Sequence, residues 1–217
     1  MAERSRLAAG GAVFAGLSVV ALAVLPPPPA ADASVATLRH YFDAHGDAVR
    51  VASALSVLAA LAFLQLFVAL RRRIGGAPGD ALFAAGVVTV VVGVLGGVLQ
   101  AGLAASHARL GDSGLSTYFE VVRMVFYVAP AFGMAAVAGA AVSAFGTGMP
   151  GWLRNASALL AAVAVVGGVA SCLSEAKAVG AIGLVGFILS IAWAAATSVT
   201  VLRTAPVRSV AVPSSAR

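Results

Sequence analysis

A run of 20 residues without a charge, closed by three arginines, constrains this chain more than any other feature. The run extends from Val51 to Leu70 and is followed directly by Arg71, Arg72 and Arg73. As an α-helix it is long enough to cross the roughly 30 Å hydrocarbon core of a bilayer. Short loops rich in arginine stay on the cytoplasmic side of a membrane. The run therefore predicts a transmembrane helix whose carboxyl end is cytoplasmic.

Five further charge-free runs predict that the whole chain is a transmembrane bundle. Because the hydrocarbon core contains no water, backbone polar groups must be paired within the protein, which leaves helices and closed barrels. The runs exceed the roughly 9–11 residues of a barrel strand and lack strict alternation. With 61% hydrophobic and 10% charged residues, the composition also excludes an ordinary soluble domain. We predict an all-α, polytopic bundle of six transmembrane helices, with spans at residues 7–25, 51–70, 81–105, 124–145, 156–173 and 178–202.

The charged residues divide unevenly between the two sides of such a bundle. If Arg71–Arg73 lie inside, the inside segments carry nine basic and two acidic residues, against five basic and six acidic residues outside. This bias places both termini in the cytoplasm, and it explains the net charge of +6 without a nucleic-acid partner. The abundance of Arg, Ala, Val and Gly is typical of GC-rich bacterial genes, so we expect the bacterial cytoplasmic (inner) membrane. Residues 1–205 form one domain in this interpretation, and 206–217 a disordered cytoplasmic tail.

The first run has a second interpretation. Arg4 and Arg6 precede it and Ala31-Asp32-Ala33 follows it, as in a signal peptide with its cleavage site. Its 19 residues exceed the usual length, about 7–15, of a signal-peptide apolar region, so we expect a retained helix. Residues 26–29 are all proline and end this helix, because proline cannot continue the hydrogen-bond ladder. Residues 34–45 place apolar side chains on one face and predict a short interfacial helix before the second span.

Small residues predict where helices approach one another closely. The sixth run has small residues every four positions on one helix face, and we call this face the seam. Its residues are Gly186, Ser190, Ala194 and Ser198. In lipid there is little hydrophobic drive between spans, so association depends on such close packing. We expect the seam to pack within the bundle, and a homodimer contact is the alternative. Possible partners are the lipid bilayer, a second copy of the chain and another membrane protein.

Polar residues at the outside ends of the spans form the candidate site. Together they predict an extracytoplasmic vestibule, and they are Arg50, Gln100, Glu120, Arg123, Glu175 and Lys177. The alternative is that these charges, at the level of the lipid headgroups, only pair with one another and contribute little.

The sequence offers few groups for catalysis or for binding a metal or cofactor. His40, Asp43, His45 and Asp47 match no zinc spacing, and two histidines five residues apart lie on different helix faces. The spans hold no Asp, Glu, Lys, Arg or His, whereas proton relays and ion-coupled transporters use such residues. Pro130, within the fourth run, predicts a kink. We therefore predict no enzyme activity, no metal and no cofactor.

Three segments carry a pattern shared with a known family. They are residues 41–74 (YFDAHGDAVRVASALSVLAALAFLQLFVALRRRI), 126–163 (FYVAPAFGMAAVAGAAVSAFGTGMPGWLRNASALLAAV) and 183–203 (GLVGFILSIAWAAATSVTVLR). An aromatic and acidic segment precedes the second span, and a Met-Pro-x-Trp-Leu turn precedes the fifth. In these features the chain resembles the uncharacterised six-span integral membrane proteins of actinobacteria, a bacterial family of unknown function. The resemblance implies the six-span architecture and carries no activity or catalytic residue.

These features favour a non-catalytic membrane component, an accessory or sensor that acts through helix or lipid contacts. The alternative is a small-solute transporter or channel that uses the extracytoplasmic vestibule and the Pro130 kink. A membrane-embedded enzyme acting on lipids ranks last, because only Glu120, Arg123 and Glu175 would be available for its chemistry.

Overall fold

The computed structural model describes residues 2–30, 32–146, 149–173 and 177–203, and these ranges are almost entirely helical, with no strand among them. In chain order the elements are α1 (Ala2–Val24), α2 (Val35–Ile74), α3 (Gly76–Ser106), a 3-10 turn (His107–Arg109), α4 (Asp112–Val122), a π-helical turn (Arg123–Val128), α5 (Ala129–Ala144), α6 (Gly151–Leu173) and α7 (Lys177–Arg203).

Length and hydropathy identify the helices that suit a membrane. Five helical stretches are long and apolar enough to cross one: Val35–Ile74, Gly76–Arg109, Asp112–Ala144, Gly151–Leu173 and Ile182–Arg203. The described part of α1 adds a shorter apolar helix, Ala9–Val24. The prediction of an all-α bundle of apolar helices is thereby confirmed.

The helices form a closed ring in which each one packs against its neighbours in sequence. α1 contacts α2, α2 contacts α3, α3 contacts α5, α5 contacts α6, α6 contacts α7, and α7 returns to α1. Short connections between antiparallel helices favour this order. α2 contributes most to the centre, where Leu66, Phe67 and Leu70 are fully buried. Phe67 lies directly over Gly86 of α3, which leaves room for the aromatic ring because it has no side chain.

The segment 34–45, predicted as a short interfacial helix, forms no helix of its own. It is the first part of α2, which continues without a break for 40 residues, or about 60 Å. Ser34 caps the amino end by accepting a hydrogen bond from the Thr37 amide at 3.2 Å. No proline separates this segment from the second span, so the helical ladder continues. The helix ends where Gly75 adopts a φ of 68°, which starts the turn into α3.

Three helical stretches are longer than the hydrocarbon core is thick, and their excess length projects from one end of the bundle. We call this part the extension and define it as residues 35–50, 99–110 and 112–122. Exposed large hydrophobic side chains reach only as far as Val51, Val98 and Val121 on these helices, so the lipid-facing surface ends at its base. Above that level the extension has its own hydrophobic cluster, formed by Leu38, Phe42, Val49, Leu103, Ala104, Leu115, Phe119 and Val122.

The opposite end of the bundle, which we call the basic end, carries the arginine triplet at the end of α2. Arg71 donates a hydrogen bond from Nε to Asp80 Oδ1 at 2.7 Å and lies over the Phe83 ring at 5.0 Å. The two ends therefore differ in charge as well as in shape.

The stretch from α4 to α5 passes through the π-helical turn just before Pro130. The Ala129 amide donates to the Met124 carbonyl five residues earlier, the bond that defines a π-turn. Proline has no N–H, and its ring would clash with the carbonyl of Phe126 in an ordinary α-helix, so the wider turn relieves the conflict. Gly96 of α3 lies against the Phe126 backbone, where a Cβ would come within 2.9 Å. The predicted kink at Pro130 takes the form of this widened turn.

Candidate functional site

A network of hydrogen-bonded side chains links three helical elements at the base of the extension, and we call it the Gln100 network. Gln100 of α3 is only 4% exposed. Its Nε2 donates to the Tyr127 hydroxyl at 3.0 Å, and its Oε1 accepts from the Ser53 hydroxyl at 3.2 Å. Ser53 shares its proton with the Val49 carbonyl at 2.7 Å. This network thus joins α2, α3 and the π-helical turn through the side chains of Ser53, Gln100 and Tyr127.

The Gln100 network stabilises one arrangement of the three elements. Hydrogen bonds between membrane helices contribute about 0.6 kcal/mol each on average and at most about 1.7. A buried amide that loses its partners costs more, because its polar atoms are then left without a hydrogen bond inside the protein. Gln100 is therefore a specific connection between the π-helical turn and α2.

Arg39 ties the tip of the extension together. Its guanidinium donates to the Leu110 carbonyl at 2.8 Å, to the His107 carbonyl at 3.3 Å and to Asp112 Oδ1 at 2.9 Å. The Leu110 carbonyl lies directly after the 3-10 turn, and the His107 carbonyl, within that turn, also accepts from the Leu110 amide at 3.3 Å. Nearby, His107 Nε2 lies 3.0 Å from Asp43 Oδ1. These contacts connect the start of α2 with the loop between α3 and α4.

Two segments of the form Tyr-Phe-acidic, residues 41–43 and 118–120, both lie in the extension. Phe42 and Phe119 are both buried in its hydrophobic cluster. The Tyr41 hydroxyl donates to the Pro26 carbonyl at 3.2 Å, which ties the polyproline segment to the extension. Burial raises the pKa of the Tyr41 phenol, so it remains a neutral donor. The Tyr118 hydroxyl lies against Gly102, where a Cβ would come within 2.8 Å.

The predicted vestibule residues form separate pairs in the described part of the chain. Glu120, outside the predicted fourth span, accepts two hydrogen bonds from Arg123, at 2.9 and 2.6 Å. These bonds hold the pKa of the Glu120 carboxyl below its ordinary value. Arg50 pairs with Asp47 on the exposed side of α2. Glu175 lies outside the described residues, and Lys177 begins α7 with a side chain that is likewise not described.

The seam lies on α7 and faces two neighbouring helices, α6 and α1. Gly186 lies against α6, where a Cβ would come within 3.7 Å of Val163. Further along, the Ala194 carbonyl and the Ser198 hydroxyl lie against Gly11 of α1, at 2.7 and 2.9 Å from a Cβ built there. Ser190, Ala194 and Ser198 are all buried. The seam therefore supplies the contact that closes the ring between α7 and α1.

Several residues of the site were not predicted from the sequence. Ser53 and Tyr127 are ordinary membrane residues by type, and only their contact with Gln100 distinguishes them. The sequence identifies Arg39 only as one of the basic residues outside the spans. A further buried bond joins Trp193 Nε1 to the Ser157 hydroxyl at 2.9 Å, between α7 and α6. The position of Ser53 opposite α3 could have been predicted from the sequence. Ser53 and Gly97 lie equally far from the Gly75 turn and so face each other in the antiparallel pair of α2 and α3.

The described polar side chains of the extension provide ion pairs and hydrogen bonds. No group of three His, Cys, Asp or Glu side chains comes together within the ranges that the structure describes. Comparison with family models, with curated proteins and with solved structures gives no match for the chain. The resemblance to the six-span actinobacterial proteins stays a prediction.

Proposed function

We propose that the chain is a non-catalytic, multi-pass component of the bacterial cytoplasmic membrane, an accessory or sensor that acts through helix and lipid contacts. The observation that supports this most is the extension. Its helices continue the apolar helices of the bundle, α4 through the π-helical turn, and the Gln100 network connects its base to that turn. A partner that binds the extension would therefore act on α2 along its full 40-residue length.

In this proposal the basic end is cytoplasmic and the extension lies on the other side of the membrane. Cysteine labelling tests the placement in a Cys172→Ser background, since Cys172 is the only cysteine. An impermeant maleimide added to intact cells is expected to label Ser113→Cys at the tip of the extension. It is expected to spare Ala77→Cys in the first turn of α3. Labelling of Ala77→Cys alone would reverse the topology.

The accessory role predicts a defined oligomer or a stoichiometric membrane partner after gentle detergent extraction from the native membrane. Native mass spectrometry would measure it. Gly186→Leu is expected to disturb helix association, because a Cβ there already lies 3.7 Å from Val163. Gly183→Leu is the matched control one turn earlier, where a Cβ meets nothing within 4 Å. A clean monomer, unaffected by Gly186→Leu and Ser190→Leu, would contradict the proposal.

A small-solute transporter or channel is the second candidate, and the π-helical turn favours it. Widened helical turns often occur at functional sites, and this one contacts the buried Gln100. Flux in proteoliposomes is then expected to fall with Glu120→Gln or Arg123→Gln, which remove the ion pair above the turn. Gln100→Leu should reduce it further. Absence of flux across a broad panel of solutes would exclude this alternative.

A further inference from the structure

An apolar groove with a cationic mouth runs along the surface between α6 and α7 at the basic end. Its outer part has a volume of about 490 Å³ and is lined by Trp152, Ala195, Ala196, Val199, Thr200 and Arg203. A second part of about 180 Å³ continues it and shares Trp152 and Ala196. This second part reaches Leu189, so the groove extends about 21 Å along α7. That length covers one bilayer leaflet, whose hydrocarbon is about 15 Å thick.

The groove changes from polar to apolar along its length. Arg203 and Thr200 lie in its outer part, toward the end of α7, whereas Leu159, Leu189 and Ala192 line its inner part. Trp152 is 54% exposed beside the mouth, the position at which indole rings occupy the membrane interface. A phospholipid changes in the same direction, from a polar headgroup to an apolar acyl chain.

The mouth carries positive charge that described carboxylates do not neutralise. Asp80, an acidic residue at this end, is already bonded to Arg71. Among the side chains that the structure describes, none forms an ion pair with Arg203. The amino end of α6 adds the positive end of its helix dipole at the same level. An anionic headgroup therefore fits the mouth better than a zwitterionic one.

We infer that this groove binds an anionic phospholipid of the leaflet at the basic end, with its phosphate at Arg203 and one acyl chain along α6 and α7. The inference requires only that the chain lies in a membrane. It does not depend on the role proposed for the extension, so the two can fail separately.

Tryptophan quenching by brominated lipids tests the inference on the full chain in mixed micelles. Trp152 and Trp193 are the only tryptophans, and both line the groove, Trp193 in its inner part, so the total fluorescence reports on occupation of both parts. Brominated phosphatidylglycerol is expected to quench at lower mole fraction than brominated phosphatidylcholine. In Arg203→Gln the phosphatidylglycerol needed for half-maximal quenching should rise about fivefold, the effect of one lost contact to anionic lipid.

Arg154→Gln is the matched control. Arg154 belongs to the same end of α6 but lies about 200° around the helix from Trp152, away from the groove. It is expected to retain the preference for phosphatidylglycerol. Equal quenching of the unmodified chain by both lipids would overturn the inference, as would equal loss of preference in the two variants. Stronger quenching by both lipids after removal of residues 205–217 would show that the chain's own tail fills the groove, and would also overturn it. So would a dimer whose formation protects Trp152 from both lipids.

Discussion

Replacement of Gly11 by alanine should open the ring of helices at the contact between α1 and α7. A Cβ at Gly11 would lie 2.7 Å from the Ala194 carbonyl oxygen, 2.8 Å from Leu66 Cδ2 and 2.9 Å from the Ser198 hydroxyl. The first of these atoms belongs to the backbone and cannot rotate away. Restoring an ordinary contact of 3.4 Å requires α1 and α7 to separate by about 0.7 Å, which a closely packed interior does not absorb without cost.

The size of the effect follows from two opposing contributions. Over-packing of a well-packed interior costs roughly 1–3 kcal/mol. Alanine in place of glycine within a helix returns about 0.5–1 kcal/mol. Gly11→Ala should therefore lower the free energy of unfolding by roughly 0–2.5 kcal/mol, with a midpoint of about 1 kcal/mol. Gly16→Ala is the matched control on the same helix, because a Cβ there meets nothing within 4 Å. It should leave the stability unchanged or raise it by up to about 1 kcal/mol.

Unfolding by sodium dodecyl sulfate in mixed micelles, followed by tryptophan fluorescence, measures both variants. The buried Trp193 reports on the α6–α7 contact directly, through its bond to Ser157. Equal stability of the Gly11 and Gly16 variants would refute the proposed close approach of α1 and α7. Intact mass of the purified chain decides the signal-peptide alternative at the same time. Cleavage near Ala31-Asp32-Ala33 would remove both substitutions from the mature protein.

Three further predictions concern the polar contacts. Arg39→Gln should reduce thermal stability in detergent by about 1–2 kcal/mol, because three acceptors lose a charged donor that is one-third exposed, whereas Arg50→Gln should stay within about 0.5 kcal/mol. Gln100→Leu combined with Ser53→Ala in a double-mutant cycle should give a coupling energy of about 0.6–1.7 kcal/mol by chemical unfolding, and zero coupling would contradict the bond. Trp193→Phe should cost about 1 kcal/mol and Trp152→Phe almost nothing in the same unfolding assay, since only Trp193 bonds a buried hydroxyl.

The helices themselves could be predicted from the sequence because lipid imposes a simple rule. A charge-free run of the right length must be helical, since no other open structure satisfies its backbone in hydrocarbon. The seam on α7 could be predicted for a related reason, because glycine and serine at four-residue spacing are the residues that permit close approach. Both rules depend on residue type and spacing alone. They do not depend on which helix lies opposite.

The extension could not be predicted, because the charges that end a hydrophobic run do not end a helix. Residues 34–45 were separated from the second span since Asp43, Asp47 and Arg50 cannot lie in hydrocarbon. The backbone hydrogen bonds of a helix continue across that boundary unless a proline or a turn interrupts them. α2 therefore leaves the lipid without changing direction, and α3 and α4 continue beside it. Phe42 and Phe119 both belong to the hydrophobic cluster of the extension.

The predicted vestibule included Gln100 among charged residues at the span ends, and this neutral, buried residue is the one that bonds to two other helical elements. Glu120 and Arg123 pair within one turn of their helix, and Asp47 and Arg50 do the same on α2. Gln100 has no complementary group on its own helix and must reach across to α2 and to the π-helical turn. That turn exists because of Pro130, which makes the widened segment that presents Tyr127. In a bundle held by weak forces, the polar group without a local partner is the one that selects the arrangement of the helices.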